Sequence, residues 1–166
     1  MLKSATFRTI CIILILCTAA SVFFGLLYHY DNKYTTANTV SQDGAVLLPD
    51  AQARGVTWLV EGWRFYPDQF LAPGDNAGGG HAVYIGQYLS FAPFHADGSP
   101  YGYGTYRLRI RGQGQYTMLI PEVFCASVVY ADGEPVASSG SIRPYAPQIQ
   151  DLVFSFHVQG ESEILI

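Results

Sequence analysis

Residues Tyr106-Arg107-Leu108-Arg109-Ile110-Arg111 alternate strictly between apolar and cationic side chains. Successive side chains of a strand point to opposite faces. Tyr106, Leu108 and Ile110 therefore share one face, and Arg107, Arg109 and Arg111 the other. Such a segment needs a sheet with one buried and one wet side, and its period does not suit an amphipathic helix. Gly102 and Gly104, just upstream, suit a tight turn leading into the strand.

The same reading extends from Val56 to the last residue. Strands are expected at Thr57–Val60, Trp63–Tyr66, His81–Ile85, Thr105–Arg111, Tyr116–Ile120, Ser127–Ala131, Pro135–Ser138, Leu152–Val158 and Glu163–Ile166. The breaks between them carry turn chemistry: Pro73-Gly74, Gly78-Gly79-Gly80, Asp97-Gly98, Gly112-Gln113-Gly114 and Asp132-Gly133. Asp-Gly between two short apolar runs is a strong hairpin signal, because both residues accept the positive φ of a type I′ turn. Many short antiparallel strands with this turn density make the chain mainly β, folded as an antiparallel β-sandwich of the jelly-roll kind.

The N-terminus reads differently. Residues 9–28 carry no charge, and a helix of about 20 residues spans about 30 Å, the thickness of a hydrocarbon core. Lys3 and Arg8 precede the run and Asp31 follows it. The positive-inside rule then keeps residues 1–8 cytoplasmic, makes 9–29 a transmembrane signal anchor in the bilayer, and exports the rest. Thr18-Ala19-Ala20 offers a signal-peptide cleavage site as the rival reading. The apolar run continues well past it, which favours an uncleaved anchor. Ser21 and Gly25 form a small-xxx-small pair that would allow close helix approach and a homodimer. Residues 30–54 are polar without sustained periodicity and read as a linker, leaving 55–166 as the exported domain.

From Asp31 onward the net charge is −6, which argues against binding a phosphate backbone and so against nucleic acid. Only Cys125 lies beyond the N-terminal run. A disulfide framework within the distal domain is excluded, and Cys125 is expected to be a small buried hydrophobe. The four histidines show no metal-ligand spacing, no motif of nucleophilic or metal-assisted catalysis is present, and nothing calls for a cofactor. Acids such as Asp68, Asp75, Asp97, Asp132 and Glu134 lie on separate turns, where they serve as solvated turn formers rather than a catalytic pair. The chain is therefore expected to bind rather than catalyse. Trp63 belongs to the core. Trp58, Tyr88, Tyr101, Tyr103 and Tyr145 lie at strand ends or in loops and are candidate platforms for a sugar ring or other small ligand. Arg107 and Arg109 are candidates for an acidic ligand, unless they pair with acids on the next strand.

Three pieces in order resemble one family. They are Glu61-Gly-Trp-Arg-Phe-Tyr-Pro67, Gly102-Tyr-Gly-Thr-Tyr-Arg-Leu-Arg-Ile110, and Ile120-Pro-Glu122 through Val129-Tyr-Ala-Asp-Gly-Glu134. The family is the periplasmic or extracellular sensing module of bacterial seven-transmembrane receptors with diverse intracellular signalling domains. The resemblance covers about residues 55–166. It implies a galactose-binding-like jelly roll, similar to the sugar-binding domain of family-two glycoside hydrolases. It also implies a ligand-sensing role in a membrane receptor whose output, such as a kinase or diguanylate cyclase, lies beyond Ile166. The family's usual V-P-G-x-W stretch is replaced here by Val83-Tyr-Ile-Gly-Gln-Tyr-Leu-Ser-Phe-Ala-Pro93. The alternatives are a membrane-tethered carbohydrate-binding or adhesion module, and a fragment of a glycoside hydrolase.

Overall fold

The computed structural model describes residues 4–31, 38–52 and 55–166. The chain divides into two units, Met1–Ala37 and Asn38–Ile166. In the first, α1 runs over Ser4–Asp31 and is apolar all round. Within it Thr6–His29, whose most apolar 18-residue stretch has a mean hydropathy of 2.8, is long and apolar enough to cross a bilayer. The Thr18 hydroxyl donates to the Leu14 carbonyl at 2.8 Å. This satisfies the hydroxyl within the helix, as a hydrocarbon surrounding would require.

The second unit is mainly β. Its strands are β1 (Val46–Leu47), β2 (Trp63–Pro67), β3 (His81–Val83), β4 (Gly104–Val123), β5 (Ser127–Ala131), β6 (Glu134–Ser139) and β7 (Gln150–Leu165). They form one sheet in the order β3-β2-β4-β7-β5-β6, with β1 pairing β4 off that path. All of these pairings are antiparallel except the β1–β4 pair.

The sheet closes into a sandwich because its long central ribbon arches. β7 has 16 residues, which would span about 50 Å if straight. Yet its end pairs with β5 at Ala131↔Ile164, while Gln150 at its start donates to the Ser138 carbonyl of β6 at 2.7 Å. Both ends thus lie along a β5–β6 hairpin whose β5 strand is five residues long, or about 17 Å. The bend is at glycine: Gly112 pairs with Gly160, and Gly114 and Gly160 have φ of +115° and +89°. Sequence reading splits each of these strands in two, taking Gly112-Gln113-Gly114 as a turn. In the fold the two strands bend together at the glycines and keep their register.

One face of this arched sheet supplies the core. Leu108, Ile110, Val129, Val158 and Ile164 are fully buried, joined by Trp63, Phe65, Met118, Phe154 and Phe156. Tyr106, Leu108 and Ile110 face inward as the alternation requires. The Asp132-Gly133 hairpin is also as expected, with φ of +48° and +92°.

Three expectations differ from the fold. Part of the polar linker belongs to the sandwich: Ala45 and Val46 are fully buried, and Val46 pairs with Ile110 of β4. Residues 32–37 and 53–54 of that linker lie outside the described residues. Thr57–Val60 is not a strand, because Asn38 supplies its hydrogen bonds. The Asn38 side chain accepts from the Val60 and Glu61 N–H groups and donates to the Trp58 carbonyl. Cys125, in the bend joining β4 to β5, is exposed rather than buried.

Candidate functional site

The arginine face of β4 is an ion-pair lattice. Arg107 pairs with Glu163, its Nε donating at 2.5 Å. Arg109 and Arg111 both pair with Glu161 of β7 and with Asp43, which lies just before β1. The hydrogen bond from Arg109 holds the Glu161 carboxyl below the usual carboxylate range. Asp43 is likewise held low, first by the Ser41 hydroxyl and then by Arg111. Arg107 and Arg109 are thus joined to acids on the next strand, the second of the two arrangements their spacing allows.

Three exposed aromatic side chains, Phe70, Tyr101 and Tyr103, lie at the other end of β2, where β2 ends at Pro67 and β4 begins at Gly104. Phe70 and Tyr103 stack with ring centroids 4.5 Å apart and planes 17° apart. Each leaves about half its surface to solvent, at 53% and 47%, and neighbouring Tyr101 is 84% exposed. The loop that carries Phe70 is fixed from β4. The Thr105 hydroxyl donates to the Gln69 carbonyl at 2.8 Å and accepts from the Leu71 N–H at 3.1 Å. Both chain neighbours of Phe70 are therefore tied to one buried side chain.

A polar pair lies at the same strand ends. Asp68 has φ of +56°, a left-handed backbone that Asp and Asn tolerate best among residues with side chains. Its N–H donates to the Tyr103 carbonyl at 2.8 Å. Its two carboxylate oxygens lie 3.1 Å from His95 Nε2. His95 Nδ1–H donates to the Ser99 carbonyl at 3.1 Å, and the ring stacks on Phe91. Behind this layer Phe94 packs against Phe65, His81 and Tyr88.

Gly102 and Gly104 serve this packing rather than a turn. Neither has a positive φ. A Cβ on Gly102 would lie 2.6 Å from the Phe91 ring, and one on Gly104 2.7 Å from the Phe65 ring. Glycine is needed here because rings lie directly on the backbone.

Of the residues expected to bind a ligand, the fold brings Tyr101 and Tyr103 to this end. Tyr88 is half-buried beneath it against Phe94. Trp58 is 41% exposed but precedes the opposite end of β2, beside Asn38. Tyr145 is 67% exposed on the turn between β6 and β7. Sequence reasoning missed Phe70 and treated Asp68 and His95 as unrelated, since 27 residues separate the pair. Among the described residues no group of His, Cys, Asp and Glu could hold a metal ion.

No family model matches this chain, and no curated protein does. Two solved structures show a partial likeness. One is a GH2 β-galacturonidase from Eisenbergiella tayi bound to galacturonate, at 15% identity and a TM-score of 0.40, covering 62% of this chain. The other is a β-glucuronidase from Ruminococcus gnavus in complex with uronic deoxynojirimycin, at 12% identity and a TM-score of 0.39, also covering 62%. This chain spans only 17% and 19% of their respective lengths. At these scores the likeness carries no argument about activity, and the antiparallel β-sandwich rests on the strand order and core described above.

Proposed function

We propose that this chain is a non-catalytic carbohydrate-binding module tethered to a membrane by α1. The observation that carries the reading is the solvent-exposed Phe70–Tyr103 stack. Pyranose rings have an apolar C–H face that suits an aromatic ring, and a ring of hydroxyls that need polar partners. A stacked pair is a firmer platform than a lone ring, because each ring's inner face is already packed and its rotamer is set.

The acids of the lattice support binding without turnover. Asp43 and Glu161 approach one another only through the guanidinium groups they share. Both are held low and therefore ionised. Neither supplies the protonated acid that glycoside cleavage needs. A sensing role in a larger receptor would use the same platform, but no comparison bears on it, and the binding reading does not depend on it.

The test is binding of the full chain in detergent micelles to a glycan panel, with Phe70→Ala and Tyr103→Ala alongside. Each variant should weaken binding tenfold or more, about 1.4 kcal/mol, while leaving the emission of buried Trp63 unchanged. Retained affinity in both variants would overturn the assignment, as would absence of any glycan ligand.

A further inference from the structure

We propose that the open edge of β7 pairs with the same edge of a second copy of this chain, joining two sandwiches through one continuous sheet. Tyr106 and Ile166 exchange both backbone hydrogen bonds at 2.9 Å. From there β4 and β7 keep one register as far as Ile120↔Leu152. Bonded and unbonded pairs alternate along an antiparallel ladder. Tyr116↔Phe156 and Met118↔Phe154 are therefore bonded pairs, and Val153, Ser155, His157 and Gln159 turn their N–H and C=O groups away from β4. The far side of β7 shows the same phase, since the Glu163 carbonyl accepts from the Asp132 N–H at 2.9 Å. β5 lies beside β7 only at Ile164 and Leu165. Among the described residues the four outward N–H groups meet no acceptor, and their side chains are exposed.

The other edges carry devices that block strand addition. β1 and β3 have two and three residues. β6 contains Pro135, shifts register against β5 between Val129 and Tyr130, and gives its Ser138 carbonyl to Gln150. On β4 the Arg111 carbonyl accepts from the Leu48 N–H at 2.7 Å, and the Gln113 N–H donates to the Tyr116 hydroxyl at 3.3 Å. Pro121 and Glu122, with φ of +51°, then disrupt the end of that strand. From Leu152 to Gly160 β7 has no proline, no charged residue and no register shift. An identical strand fits this edge. Run antiparallel about a two-fold axis, Val153 of one copy faces Gln159 of the other and Ser155 faces His157, so all four outward residues of each strand are paired. From Asp31 onward the chain carries a charge of −6. Two copies therefore repel over most approaches, and the uncharged run is where their backbones can meet. Past the glycine bend β4 and β7 form a two-stranded ribbon, and the pairing would make it four-stranded, which is the sturdier arrangement.

The experiment follows the full chain in neutral detergent through a dilution series, by sedimentation equilibrium and by residue-resolved amide hydrogen exchange. Dimers should form. In them the amides of Val153, Ser155, His157 and Gln159 should exchange about tenfold more slowly, or slower still, than in the diluted monomer. A dimer held by α1 alone would leave those four amides unchanged and would overturn the proposal, as would a chain that stays monomeric throughout. Ser155→Pro removes one outward N–H and no bond to β4, a place where an edge strand tolerates proline. It should weaken dimerisation by about tenfold or more. Val153→Lys, at a side chain that is 64% exposed, brings a like charge from each copy to the edge and should have the same effect. It decides the matter if the proline variant loses the emission of buried Trp63. Unchanged dimerisation in a folded variant would show that the contact lies elsewhere.

Discussion

Gly62→Ala tests the least expected part of the fold, the docking of β1 in the core. Gly62 has φ of +87°, and a Cβ added there would lie 2.3 Å from Cγ2 of Val46 and 3.5 Å from Cδ1 of Leu108. The substitution therefore acts twice. A left-handed backbone costs a side-chain-bearing residue about 1–2 kcal/mol. Forcing a methyl group against a fully buried valine adds about 1–3 kcal/mol of overpacking. The sum, roughly 2–5 kcal/mol, is a large share of the 5–15 kcal/mol typical of a whole domain. Val46→Ala alone should cost about 1–3 kcal/mol, because it empties part of a packed site. Combined, the two changes should be less than additive by about 1–3 kcal/mol. Alanine at 46 removes the methyl group that alanine at 62 strikes, whereas the backbone cost remains. The assay is urea unfolding of the full chain in detergent, followed by tryptophan emission. Both tryptophans lie in the sandwich and Trp63 is 4% exposed, so α1 contributes no signal. Additive losses within about 0.5 kcal/mol would refute the contact between Val46 and Gly62. A negligible cost for Val46→Ala would show that β1 is not seated in the core at all.

Two further outcomes follow from charge. Glu161 and Asp43 have carboxyl groups held below their ordinary values of 4.5 and 3.8. Such groups contribute stability that is present above the unfolded-state value and is lost as pH falls through the folded-state value. The urea midpoint should therefore drop below about pH 4, and Glu161→Gln should drop less steeply over that range; identical slopes would contradict the lattice. As for topology, the basic flank of α1 predicts a distal unit outside the cytoplasm. A reporter that works only after export, fused at Ile166, should be active, and activity of a cytoplasm-only reporter at that site would reverse the orientation.

The sandwich was legible where a local period carries it. Tyr106–Arg111 and Phe154–Val158 alternate without a break, and the Asp132-Gly133 hairpin has a dipeptide that its turn favours. The fold departed from the sequence where tertiary contacts decide. Val46 and Leu47 are two residues in a polar stretch, too few to show a period, and they become a strand only because Ile110 and Arg111 leave an edge open for them. Asn38 acts across 20 to 23 residues to replace the hydrogen bonds of an expected strand. Gly112 and Gly160 look like turn formers one at a time, and only their pairing reveals a hinge shared by two strands.

The candidate site was half legible for a related reason. Carried upstream from Tyr106, the two-residue period places Gly102 and Gly104 on the inner face and Tyr101 and Tyr103 on the outer face. The structure agrees: the inner space that side chains would fill is taken by the rings of Phe91 and Phe65, and the two tyrosines are exposed. Glycine inside and tyrosine outside is thus the core-forming alternation of β4 continued past its end, with rings from other segments filling the inner positions. Thr105 breaks the period, being 5% exposed at an outward position, because the loop over residues 69–71 lies across it. That break brings Phe70 onto Tyr103. No local pattern around Phe70 announces it, since its neighbours are held by a hydroxyl more than 30 residues away. The tyrosines proposed to bind a ligand were visible in the sequence; the ring that stacks on Tyr103 came from a loop that only the folded strand order brings to the same edge.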